Sequence, residues 1–265
     1  MKIYIMSDIE GISGIYHKEQ VVMDGARYSE GRKFMTREAN ICADALKEAG
    51  VDTVYYHDCH GMGCNVYWDE LSSSIDKVII GSNANIENRF AECVKECDGV
   101  ILLGYHAMAG TKDAILEHTM SSKSWQNFWL NGEKSGEARM DAAILGDWDI
   151  PVIMISGDDK LEKEVGKFLP NVPFARVKEG LACMSGALLS PEKAKEVIRQ
   201  KTIEAVKNIS KAKPYKVSSP VTMKVELVER NEVPSAYKKP YMTIHDGRTY
   251  SVTGDTVVET LYRLL

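Results

Sequence analysis

Residues 99–106 read Gly99-Val100-Ile101-Leu102-Leu103-Gly104-Tyr105-His106. Four aliphatic residues in a row, with no polar alternation, describe a short strand buried on both faces. The glycine and histidine that follow carry the chain out of it. Working outward, the apolar runs Met1–Met6, Val51–Tyr56 and Ile150–Ile155 have the same character. Helical patterns separate them. Phe34–Ala49 repeats apolar residues every 3.6 positions and stops at Gly50, Ser82–Asp98 reads as a second helix, and a third runs through Leu161, Val165 and Phe168. Buried strands alternating with helices predict an α/β fold, with a mostly parallel sheet and helices on both of its faces.

Two stretches depart from that rhythm. Ser124–Leu130 carries Trp125, Phe128 and Trp129 and runs into Asn131-Gly132, the dipeptide that most strongly signals a tight β-hairpin. It predicts an antiparallel hairpin excursion from the main sheet. All eight prolines lie at position 151 or later. Ser190-Pro191 opens a helix in cap-then-proline order, with Ala194, Val197, Ile198, Ala205 and Ile209 on its apolar face. Val221–Val228 then alternates like a half-solvated strand. The expected division is residues 1–189 as a metal-binding catalytic α/β domain and 190–265 as a smaller α+β part.

The 265 residues carry 33 basic and 38 acidic side chains, a net charge of −5. A nucleic-acid footprint wants the opposite sign. The basic run Lys193–Lys216 reads as a solvated helix face. No stretch has the apolar length of a bilayer span, and Met1–Asp8 lacks the long apolar region of a signal peptide. The six cysteines are scattered without a Cys-x-x-Cys pair, which reads as reduced thiols and excludes a zinc knot. The expected setting is the cytoplasm, with neither nucleic acid nor membrane as partner.

The chemistry gathers where strands end. The four runs finish in Ser7-Asp8-Ile9-Glu10-Gly11, His57-Asp58-Cys59-His60-Gly61, Gly104-Tyr105-His106 and Ser156-Gly157-Asp158-Asp159. In an open parallel sheet these ends share one edge, where ligands bind. Carboxylates with imidazoles form a donor set for Zn²⁺, Mn²⁺ or Fe²⁺. Asp8 and Glu10 alternate, so an extended chain would point both to one locus. With His60, His106 and one further carboxylate they would serve two metals bridged by water. A strand-end Asp is often only a helix cap, and Asp158-Asp159 stays open between cap and support for a ligating histidine. His17, His57 and His245 read as structural.

These blocks, with Glu117-His118-Thr119-Met120 and Gly136-Glu137 between them, resemble the D-aminopeptidases of peptidase family M55. The resemblance runs from Met1 to about Gly186. It implies a dinuclear zinc aminopeptidase with two Zn²⁺ per subunit, arranged as a homodecamer of two pentameric rings. Its metal ligands fall on Asp8, Glu10, His60, His106 and Glu137, with Asp8 as the bridge, and its catalytic histidine on His118. The implied reaction is hydrolysis of short peptides with an N-terminal D-amino acid, of the D-Ala-D-Ala kind, by a metal-bridging hydroxide. Acid–base duty suits His118 better than a nucleophilic role. Rival readings are a metal-dependent amidase or phosphoesterase, against which stands the absence of a phosphate-binding loop, and a non-catalytic ring scaffold.

Overall fold

The computed structural model describes residues 1–81, 89–230, 232–235, 239 and 241–265. It is a mixed α/β structure with two sheets. The first has seven strands in the order β3-β2-β1-β4-β7-β8-β9, namely Lys77–Ile79, Thr53–Asp58, Lys2–Ser7, Gly99–Leu103, Val152–Asp158, Phe174–Ala182 and Ser185–Leu188. All pair in parallel except β9, which turns back against β8.

Both faces are covered, as the unbroken apolar runs require. Along β1, Ile3 and Ile5 pack with Met35, Ala39 and Cys42 of α1 (Tyr28–Glu48) and with Ile198 of α4 (Pro191–Lys207). Tyr4 and Met6 point the other way, into a core shared with α2 (Glu137–Asp147), the second sheet and α5 (Val257–Leu264). β4 repeats the pattern, with Ile101 and Leu103 on the α1 side and Val100 and Leu102 opposite.

The Ser124–Leu130 hairpin forms, but its sheet is larger than an excursion. β5 (Trp125–Leu130) and β6 (Glu133–Lys134) join β10 (Val221–Leu227), β12 (Thr249–Gly254) and β11 (Met242–Ile244) in an antiparallel sheet of order β11-β12-β10-β5-β6. Asn131 and Gly132 both take positive φ, 48° and 83°, as a two-residue turn of this hand requires. Residues 190–265 serve both layers: α4 lies on α1, while β10–β12 and α5 build the second sheet.

Two helix expectations are corrected. Part of the Ser82–Asp98 segment, residues 82–88, lies outside the described residues. From Arg89 to Asp98 there is only a 3₁₀ turn at Glu92–Glu96, entered from an extended Ala91 and left through an extended Cys97. The extended backbone of Ala91 and Cys97 on either side confines the helical geometry to that short stretch. The third helix, α3 (Asp159–Val165), stops before Phe168; Pro170 disfavours helical backbone at the residue before it.

The chain reverses its direction of travel across the sheet at β1 and β4. β2 and β3 lie on one side of that pair, β7 to β9 on the other. Such a switch point opens a crevice beyond the carboxyl ends of the strands. Asp8 N–H donates to Leu103 O at 2.9 Å and Gly11 N–H to Gly104 O at 2.7 Å, stitching the two exits together. The approach leaves no room for side chains: a Cβ on Gly11 would lie 1.9 Å from Tyr105 O.

Candidate metal centre

Asp8, Glu10, His60, His106, His118 and Glu137 meet in this crevice. Asp8 Oδ1 lies 2.9 Å from His60 Nδ1, and Glu10 Oε2 lies 3.1 Å from the same nitrogen. Asp8 Oδ2 is 3.4 Å from His106 Nε2, which is also 3.4 Å from Glu137 Oε1. His118 Nε2 approaches Glu137 Oε1 at 3.9 Å. The His106 and His118 rings stack, centroids 4.0 Å apart.

Asp8 and Glu10 converge by a different route from simple alternation. β1 ends at Ser7, and Ile12 N–H bonds back to Ile9 O, so the chain turns immediately. The turn, tied down by β4, returns Glu10 to Asp8. Glu137 is the first residue of α2, after an extended Gly136 that caps it. Asp158 caps α3 through Lys160 N–H and Leu161 N–H, and its second oxygen accepts Ile115 N–H at 3.0 Å, in the same loop as His118.

Each histidine has one nitrogen tied to a backbone carbonyl. His60 Nε2–H donates to Val21 O at 2.9 Å, His106 Nδ1–H to Ala107 O at 3.0 Å and His118 Nδ1–H to Leu116 O at 2.9 Å. A carbonyl only accepts, so the bond fixes the tautomer and turns the other nitrogen to the pocket. This is the outer support that ligating imidazoles usually have. Two buried donor atoms of this pocket, Glu10 Oε2 and His106 Nε2, make no hydrogen bond among the described residues. Buried polar atoms of this kind are costly unless something pairs with them. Oxygen and imidazole donors, preset tautomers and unmet polar atoms together fit divalent cations. Donor atoms of Asp8, Glu10 and His106 lie within 4.8 Å of one another, as do those of His106, His118 and Glu137.

The electrostatics agree. Burial by itself would raise the Asp8 pKa; contacts with His106 and His60 overcome it and hold the carboxyl well below its usual range. Glu137, also opposed by burial, is brought down to about 2 by His106 and the Arg89 charge. Burial works against charge on His60 and His106 too, yet the neighbouring carboxylates push both well upward. The pocket is a field of anionic oxygens that recruits positive charge.

The sequence model of the peptidase M55 family, D-aminopeptidase, matches residues 1–265. This chain belongs to the M55 D-aminopeptidase family. It is therefore an enzyme of the metal-dependent peptidase class. A D-aminopeptidase of Bacillus subtilis (strain 168) is 30% identical over 249 residues, 94% of this chain and 89% of that protein. A solved structure, the Zn-dependent D-aminopeptidase DppA from Bacillus subtilis, described as a self-compartmentalizing protease, matches with a TM-score of 0.92 at 28% identity. That match covers 100% of this chain and 95% of the other. Against this M55 background the residues that pattern alone did not single out are supports. Arg89 pairs with Glu137 and Asp141. Glu164 accepts Met108 N–H at 2.8 Å. Lys178 donates to the carbonyls of Glu10, Ile12 and Ile15 at 2.5, 3.0 and 2.7 Å. None sits in a recognisable motif.

The M55 crevice is distinct from a cleft of about 650 Å³ at the opposite end of β7, between Val152, Phe168, Pro214 and Tyr215. That cleft holds none of the converging donors. Among the described residues, no helix is long and apolar enough to cross a membrane.

Proposed function

We propose that this M55 enzyme is a dinuclear zinc D-aminopeptidase acting on short peptides with an N-terminal D-amino acid. One observation carries the reading: Asp8 turns one oxygen toward His60 and the other toward His106, the posture of a carboxylate shared by two cations. With Asp8, Glu10 and His60 would hold one cation, and His106 and Glu137 the other. Zinc suits the mixed oxygen and imidazole donors; Mn²⁺ and Fe²⁺ suit them as well. When bound, two such cations supply water activated near neutral pH and polarise the scissile carbonyl.

The chain's own groups do the rest. Asp8, Glu10 and Glu137 balance the positive charge. Ala107 O and Val21 O keep His106 and His60 in the tautomers that present a lone pair. His118, its Nδ1–H engaged by Leu116 O, offers Nε2 to the pocket and passes a proton to the leaving amine. A second role for His118 has one observation in its favour, the tight grouping of His106, His118 and Glu137, which would make it a third ligand of the second cation.

The same reading has the enzyme in the cytoplasm as a homodecamer of two pentameric rings; the self-compartmentalizing relative supports assembly into a homo-oligomer. Elemental analysis combined with D-Ala-D-Ala hydrolysis, wild type against Asp8→Ala, is the test. Two zinc per chain and turnover that Asp8→Ala abolishes support it. Phosphoester hydrolysis in place of peptide hydrolysis would move the reaction class, and a folded protein that takes up no metal would make it a scaffold.

A further inference from the structure

Glu137 and Asp141 stand one turn apart on α2, at i and i+4, so their side chains share a face. Two carboxylates so placed repel each other, and both are buried. Arg89 spans them. Its Nε meets Asp141 Oδ1 at 2.5 Å, and one terminal nitrogen divides between Asp141 Oδ2 at 3.0 Å and Glu137 Oε2 at 3.2 Å. Tyr105 O–H donates to Asp141 Oδ2 at 2.7 Å, so Asp141 is itself anchored from the end of β4.

The remaining guanidinium nitrogen lies 2.9 Å from Met120 Sδ. Met120 also reaches Glu137 from the other side, its backbone N–H donating to Oε1 at 2.7 Å. Glu137 is thus gripped at both oxygens, Oε2 by Arg89 and Oε1 by the loop that carries His118. Oε1 is the oxygen that faces His106 and His118. A glutamate has three rotatable side-chain bonds, and without such a grip most of its rotamers would leave the pocket.

We propose that Arg89 is a positioning residue: it bridges Asp141 to Glu137 and so holds Glu137 in the one rotamer that closes the second half of the centre. The assignment rests on Glu137 being a metal ligand, as proposed above. The planar guanidinium suits this task because its donors are fixed relative to each other, so the angle between the two carboxylates is set with their distance. A lysine in its place would supply the charge without the fork.

Removing Arg89 alone would strand the Asp141 carboxylate in the core, and a folding defect would follow for that reason. The informative variant is therefore Arg89→Met with Asp141→Asn, which removes both charges and leaves Tyr105 an acceptor. Zinc content and affinity of the full-length protein are measured by calorimetric titration beside thermal melting and steady-state kinetics. The expected result is a folded protein in which one of two zinc ions binds about 10–100-fold more weakly. Its kcat falls at limiting zinc and returns when zinc is raised, with KM little changed. Arg89→Lys restores part of the affinity. A double variant that binds both ions like wild type, while Glu137→Gln loses one, overturns the role of Arg89 and leaves the metal centre standing. A wild-type protein that takes up no zinc overturns both.

Discussion

The imidazoles of His106 and His118 lie face to face, planes 11° apart, and each has its Nδ1 on a backbone carbonyl. Both present Nε2 to Glu137 Oε1, at 3.4 and 3.9 Å. One ring is nearer the carboxylates and the other nearer solvent, and the two duties proposed for them differ accordingly. His118→Ala is expected to keep both zinc ions and lose turnover by about 10²–10⁴. Metal analysis beside kinetics checks this. Loss of one zinc with the side chain would instead make His118 a ligand.

In the proposed centre Asp8 would be common to both halves, one oxygen toward His60 and the other toward His106. Asp8→Ala should lower zinc from two per chain toward none, whereas His60→Ala and His106→Ala should each weaken one. Elemental analysis after dialysis reads the difference. Equal loss from all three variants would remove the bridging role.

His57 tests the pH behaviour of the core away from the donors. It is buried, its Nδ1 lies in hydrogen-bond contact with Tyr4 Oη at 2.8 Å, and burial, with the Arg89 charge, brings its pKa down to about 4. The unfolded chain takes up that proton near pH 6.5 and the folded one only near 4. Its contribution is therefore complete above pH 6.5 and lost as the pH falls toward 4, a difference of about 3 kcal/mol. Denaturant unfolding across that window should show a flatter pH dependence in His57→Gln than in wild type.

Lys178 is a buried ammonium whose three protons all go to carbonyls of the Glu10–Ile15 turn. Lys178→Met fills similar space but leaves Glu10 O and Ile15 O without donors, Ile12 O keeping the Ile15 N–H. At about 1–3 kcal/mol for each buried group left unpaired, the variant should lose at least about 2 kcal/mol of stability. A shift in the urea midpoint measures it, and an unchanged midpoint would show that water replaces the ammonium.

Strands β1, β2, β4 and β7 were legible because burial on both faces leaves no polar position to blur the pattern. With them came the shared edge, and so Asp8, His60 and His106. Glu137 was not legible from pattern, because a glutamate at the start of a helix is ordinary on electrostatic grounds alone. Arg89 and Lys178 were hidden for another reason. Their partners are set by strand register, with Lys178 aligned to Asp158 across β7 and β8, and by a fold that brings residue 89 to residue 141. The 3.6-residue spacing through Phe90, Val94 and Cys97 arises from a single 3₁₀ turn between extended segments, which periodicity cannot tell from a helix.

The order of strands across the first sheet also bears on synthesis. β1, α1 and β2 leave the ribosome first, with Asp8, Glu10 and His60 in the segments just after β1 and β2, whereas His106 follows only after β4 and Glu137 with α2. In the proposed centre, a nascent chain would thus carry most of one ion's donors before the other's. Cotranslational loading would proceed one ion at a time, with the later one waiting for α2 to dock.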